Sequence, residues 1–238
     1  MGFVNELEND VKDFLQGDYE IIDLDYIPSI ENISLKKKAY RINMLTFCID
    51  LRGSSKLLEL HQKQTAGKIH KAFLTTVVKT IKNYGGRVRD FQGDSILAFW
   101  PAKYQEKIDT AIKTAMTIVW LLNQRLSKHF TKYTKLDYGI GIAIGNVYVI
   151  RAGISINQNE NDLVYIGESV NFAVAIGNQM QSPYHIGISE KTYKRISNDW
   201  IYGKKNGYKV SMWEQDTARW KNGDYYIKKT NWFNKLSE

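Results

Sequence analysis

Residues 87–100 read RVRDFQGDSILAFW. Two runs of strand-forming residues meet at Gln92-Gly93-Asp94-Ser95, the composition of a tight hairpin turn. The stretch predicts one strand over 86–92, a second over 95–100 closed by Pro101, and a carboxylate, Asp94, at the tip. Asp90 lies four residues earlier, on the first strand.

Upstream, AYRINMLTFCID (39–50) has the character of a buried strand that ends at Asp50. LRGSS follows, with Ser54 and Ser55 able to cap a helix. A helical pattern runs from Lys56 to Tyr84, with a weak point at Gly67, and Gly85-Gly86 stops it. Downstream, Ile108, Ile112, Ala115, Val119, Leu122 and Leu126 recur at steps of three and four, so 104–130 reads as one amphipathic helix. LDYGIGIAIG and NVYVIRAG read as a strand pair turning at Gly145-Asn146. LVYIG leads into a helix that begins near Glu168, YHIGIS is a further strand, and EKTYKRI a last helix. Residues 199–214 suggest another hairpin. Trp213, Trp220 and Trp232 are costly to expose and predict a tail packed on the body.

The order β-α-β-β-α-β predicts an α+β fold, ferredoxin-like, with a mixed but mostly antiparallel sheet and helices packed on it. Three regions follow: an acidic arm over 1–38, a core domain over 39–214 and a Trp-rich extension over 215–238. At 238 residues the chain can bury a substantial core, and three prolines leave no obvious linker. Cys48 is the only cysteine, which excludes an intramolecular disulfide and a multi-cysteine zinc site and suits a reducing cytoplasm. No stretch is long and apolar enough to span a bilayer, so no membrane partner is expected. His61, His70, His129 and His185 show no metal-ligand spacing.

The net charge of +8 is unevenly spread. Residues 1–34 carry nine acids and one lysine, 1 − 9 = −8, which leaves +16 on the remainder. A basic body suits an anionic partner. For the acidic arm, a solvated tail is the simpler reading and a cover for that basic surface the alternative.

In a ferredoxin-like sheet the first and third strands are neighbours, so Asp50 and Asp94 can converge at one sheet edge. Such a carboxylate pair suits hard divalent ions that also bind phosphate oxygens. Gly53 and the helix start beside Asp50 offer backbone N–H groups to phosphate. Jointly these parts describe a two-metal site for a nucleoside triphosphate.

At this point the motifs resemble those of the class III nucleotidyl cyclases. FCIDLRGSS (47–55), GGRVRDFQGDSILAFW (85–100), YGIGIAIGNVYVIRAG (138–153), YIGESVNFAVAIGN (165–178) and HIGISEKTYKRI (185–196) follow in the family's order, and GKKNGYKVSMWE (203–214) is similar to its closing hairpin. The resemblance implies a cyclase fold and two Mg²⁺ or Mn²⁺ ions per site, bound by Asp50, Asp94 and the Leu51 carbonyl. It implies triphosphate binding over Arg52, Gly53, Ser54 and Ser55, and Asn171 reaching the ribose from the partner subunit of a head-to-tail homodimer. Lys205, or its neighbour Lys204, is a candidate for the phosphates.

Three positions depart from the family. Asp90 stands where adenylate cyclases carry Lys and guanylate cyclases Glu to read the base. Val164 occupies the second base-reading position. Ala175 replaces the Arg that stabilises the transition state, with Arg151 as the candidate to replace it. A carboxylate at 90 wants a donor, such as N3–H of uracil or the N4 amino group of cytosine, and Tyr165 could fill the space left by a smaller base. In this the chain resembles the pyrimidine cyclases of bacterial antiphage signalling (Pycsar cyclases), which make cyclic UMP or cyclic CMP for a separate effector. The expected reaction is cyclisation of UTP or CTP in the cytoplasm, with a purine cyclase as the alternative.

Two other classes compete. A cyclase fold that only binds nucleotide is favoured by Ala175 and opposed by Asp50, Asp94 and Asn171. A nucleic-acid-binding ferredoxin-like module would stack bases on sheet aromatics, and strand 87–92 offers only Phe91. No nucleic-acid partner is therefore expected.

Overall fold

The computed structural model describes residues 2–153 and 161–237, apart from the side chains of Asp90 and Gln92. Its elements are α1 (Phe3–Leu15), β1 (Glu20–Leu24), β2 (Lys38–Leu51), α2 (Ser54–Leu60), α3 (Lys63–Asn83), β3 (Arg87–Gln92), β4 (Ser95–Pro101), α4 (Gln105–Trp120), α5 (Ser127–Phe130), β5 (Tyr138–Gly153), β6 (Asn161–Ile166), α6 (Glu168–Gln179), β7 (Ile186–Ser189), α7 (Glu190–Tyr193), α8 (Asn198–Ile201), β8 (Tyr202–Lys205), β9 (Tyr208–Ser211), β10 (Glu214–Trp220) and β11 (Gly223–Thr230). The large sheet runs β10-β11-β7-β5-β2-β4-β3, with β1 paired to β2 and β6 to β5. Its centre, β5-β2-β4-β3, is antiparallel throughout, which is the ferredoxin-like order. The α+β expectation therefore stands.

Alternation along the central strands builds two layers. On β2, Leu45, Phe47, Ile49 and Leu51 face one way, and on β5 Tyr138, Ile140, Ile142 and Ile144 do the same. They pack on Phe73, Val77 and Ile81 of α3 and on Ile108, Ile112 and Ala115 of α4. The opposite face of β5 carries Gly139, Gly141 and Ala143, and α6 lies directly on it. A Cβ on Gly141 would fall inside contact distance of the Ala173 carbonyl oxygen and 2.9 Å from the Gly177 Cα. Small residues at alternate positions thus set how close the helix comes.

Several boundaries differ from the sequence expectations. Residues 138–153 are one strand rather than a pair, and β2 pairs with it continuously from Tyr40 to Leu51. Neither Gly145 nor Asn146 takes the positive φ of a hairpin turn, and the bare Cα of Gly145 instead makes room for Ser169. The break in the long first helix falls at His61, which is extended, not at Gly67, which lies inside α3. The stripe over 104–130 divides into α4, a π-helical turn over Leu121–Arg125 and α5. Gly53 is the N-cap of α2 and no serine side chain caps that helix, because Gly53 is left-handed (φ 68°) and Ser54 is already the first helical residue.

The acidic arm is only partly a tail. β1 pairs in parallel with β2, and Ile27 and Ile33 are buried against Ile42, Met44, Phe99, Val147 and Leu163. These apolar residues outweigh the acidic composition that suggested a solvated segment. The C-terminal segment forms a β10–β11 hairpin that pairs with β7 and widens the sheet. Among the described residues no helix is long and apolar enough to cross a membrane.

Candidate functional site

The site lies where the end of β2 meets the tip of the β3–β4 hairpin. Gln92 pairs with Ser95, leaving Gly93-Asp94 as a two-residue turn, and Gly93 supplies the positive φ (66°) at its first position. Ser95 donates its hydroxyl to Asp50 Oδ1. The turn is thereby held against the strand end, and the two predicted carboxylates come to one edge.

Their surroundings differ. The second Asp50 oxygen accepts from Arg52 Nη1 at 3.3 Å. Asp94 Oδ2 is buried and, among the described residues, has no hydrogen-bond partner. A buried carboxylate oxygen without a donor is costly unless a cation meets it. That orphan oxygen, on the turn that Ser95 holds against Asp50, fits a hard divalent ion with oxygen ligands. Among the described residues no three His, Cys, Asp or Glu side chains cluster to hold a metal, so the Asp pair carries this reading.

Beside the pair opens a cavity of about 750 Å³ between the sheet and α6. Ser95 lines its near end. β6 contributes Asp162, Leu163, Val164 and Tyr165, and α6 contributes Asn171, Ala175 and Asn178. Asn171 and Val164 are exposed, whereas Tyr165 is stacked on Phe99 with ring centroids 4.4 Å apart. Burial pushes the Tyr165 phenol up to about 12, and its hydroxyl has no partner among the described residues. Cys48, two residues before Asp50 on the same face of β2, also lines the cavity, and burial pushes its thiol up to about 12. It stays protonated and is no nucleophile at neutral pH.

The other predicted residues are distributed less evenly. Arg52 spends its guanidinium on Asp50, on the Met180 carbonyl at 3.2 Å and on the Gly177 carbonyl, so it ties β2 to the C-terminal end of α6. Gly53, Ser54 and Ser55 follow directly and open α2. Arg151 does not line the cavity; its Nη1 donates to the Ile33 carbonyl of the arm at 3.5 Å. Lys205 is exposed on the separate β8–β9 hairpin. Asp90 holds its place on β3 opposite Leu97, and its side chain lies outside the described residues.

Sequence reading missed Arg89. The register between β3 and β4 shifts between Val88 and Asp90, a bulge that leaves Arg89 over. Arg89 lines the cavity and donates to the Pro28 carbonyl of the arm. No residue pattern announces such a bulge. Ser95 and Cys48 were legible in principle, since strand alternation places Cys48 on the face of Asp50.

No protein-family model matches the chain. It is similar to the uridylate cyclase of Xanthomonas perforans, with 26% identity over 238 residues and 98% of each chain covered. Among solved structures it is similar to the guanylyl cyclase Cya2, with a TM-score of 0.68 and 20% identity over 82% of this chain and 94% of that one. It is also similar to the adenylyl cyclase CyaB from P. aeruginosa, with a TM-score of 0.66 and 21% identity over 81% and 95%. The likeness expected from the motifs is what both comparisons return: this chain has the fold of the class III nucleotidyl cyclases.

Proposed function

We propose that the protein is a uridylate cyclase, converting UTP to 3′,5′-cyclic UMP and pyrophosphate. The observation that carries this reading is the Asp50–Ser95 contact, which brings the orphan carboxylate of Asp94 to the strand end beside a cavity walled by Asn171. The similarity to a protein named uridylate cyclase, along nearly the whole chain, favours UTP over CTP and over purines.

In the reaction the ribose 3′-oxygen bonds to the α-phosphorus, the bond from that phosphorus to the β-phosphate oxygen breaks, and the 3′-hydroxyl proton leaves. Alignment and charge neutralisation supply most of the rate. Two Mg²⁺ or Mn²⁺ ions, held by Asp50, Asp94 and the Leu51 carbonyl, would neutralise phosphate charge and acidify the 3′-hydroxyl. Backbone N–H groups from Gly53 to Ser55 hold phosphate oxygens, and Asn171 orients the ribose. Neither Asp50 nor Asp94 lines the cavity that Asn171 enters, which supports a site completed by a second subunit in a head-to-tail dimer. The cyclic product then serves as a messenger for antiphage defence through a separate effector.

Ala175, where the family carries Arg, favours a second reading: a fold that binds nucleotide without turnover. Incubation of the purified chain with each of the four NTPs and Mn²⁺, followed by mass spectrometry, separates the readings. Cyclic UMP from the wild type and none from Asp50→Ala supports the proposal. Binding without product supports the second reading, and product from ATP or GTP alone makes it a purine cyclase.

A further inference from the structure

α1 has two unlike faces, and among the described residues nothing covers the apolar one. Val4, Leu7, Val11 and Phe14 recur at steps of three and four, and none of the helix's residues is buried; even Leu7 is 46% exposed. The remaining surface carries Glu6, Glu8, Asp10 and Asp13 against the single Lys12. A 13-residue helix is marginal in water without a packing partner. Lys37 anchors its last turn, donating to Asp13 at 2.7 Å and to the Gln16 carbonyl at 3.0 Å, and leaves the apolar face open.

Elsewhere the fold offers a surface of opposite character. Between α3 and α5 runs a groove of about 550 Å³ with Ile69, Ala72, Leu126 and Phe130 along it and Lys68 and Lys71 beside them. α3 contains five lysines and no acid, and residues 125–135 contain four cations and no acid. Helix and groove are thus matched in both polarity and charge, net −3 for α1 against +9 for the elements that frame the groove.

We propose that α1 of one molecule seats its apolar face in the α3–α5 groove of a second copy, exchanging helices between the two chains. The second copy is the occupant because α1 is pinned to its own chain at Lys37 with its apolar face uncovered. The groove also calls for an acidic, apolar segment, and residues 1–34 hold −8 of a molecule whose remainder is +16. Such a contact weakens as salt rises. It is independent of the catalytic reading.

The test mixes two full-length variants, Phe14→Cys and Ala72→Cys, under mild oxidation, with Leu7→Cys and Lys68→Cys as a second pair against a shift of register. All four positions are exposed, and native Cys48, 4% exposed, stays out of the reaction. The expected result is a disulfide-linked heterodimer in the mixtures that neither variant forms alone, diminished by salt and lost when Leu7→Asp is added to the Phe14→Cys chain. Absence of the heterodimer for both pairs overturns the proposal. Cross-linking only within one chain of the Phe14→Cys/Ala72→Cys double variant also overturns it, by placing the helix in its own groove. Displacement of the cross-link by phosphatidylserine vesicles that bind wild type and Leu7→Asp equally assigns the groove to a membrane surface, and overturns it too.

Discussion

Ser95 donates its hydroxyl to the carboxylate of Asp50, joining the tip of the β3–β4 hairpin to the end of β2 across 45 positions of sequence. Asp94, the neighbour of Ser95, is thereby held at the same edge with one oxygen buried and, among the described residues, unpartnered. An acceptor left in that state destabilises the fold by roughly 1–3 kcal/mol. Asp94→Ala should therefore leave the metal-free protein as stable as wild type or slightly more so, by about 1 kcal/mol, while abolishing cyclisation. Thermal unfolding in EDTA alongside an activity assay checks both halves.

Arg52 closes the base of the site by engaging Asp50 and two carbonyls at the end of α6. Hydrogen bonds from a charged donor contribute about 1.5–3 kcal/mol. Arg52→Met should cost an amount in that range in urea unfolding. It should also lower kcat more than it raises KM, because Asp50 loses its orientation.

The approach of α6 to β5 depends on Gly141. Gly141→Ala has no room for its methyl against α6 backbone, and overpacking of this kind costs about 1–3 kcal/mol or more. The helix that carries Asn171 must then lift. A fall in stability accompanied by a rise in KM for UTP is the expected pattern, and denaturant titration with steady-state kinetics measures it.

Cys48 gives the protein an alkaline limb. Its thiol is held near 12 in the fold, against about 8.5 in an unfolded chain. The folded state keeps the proton that the unfolded state loses, so this stability is complete below pH 8.5 and declines as pH rises toward 12. The decline approaches about 1.4 kcal/mol per pH unit. Unfolding free energies from pH 8 to 11 should fall more steeply for wild type than for Cys48→Ala, and native protein should resist iodoacetamide at pH 8.

Much of this was legible in the residues. The hairpin of 87–100 and the strand ending at Asp50 were readable because short alternating runs and Gly-Asp turns act locally. The placement of Asp50 and Asp94 at neighbouring strand ends was readable to the same extent. What escaped depends on tertiary context. Gly145-Asn146 has turn composition, yet twelve residues of pairing with β2 keep β5 straight. Ile27 and Ile33 bury themselves within a segment whose net charge suggested a tail. Arg89 enters the cavity through a bulge that only the register between two strands defines.

A competition in one tube tests directly which nucleotide the protein cyclises. Wild-type protein is given equimolar ATP, GTP, CTP and UTP with Mn²⁺, and the cyclic products are separated by mass. 3′,5′-Cyclic UMP is the expected dominant product, with pyrophosphate in equal amount and neither product from Asp50→Ala. Dominance of a cyclic purine nucleotide, or no cyclic nucleotide at all, would contradict it.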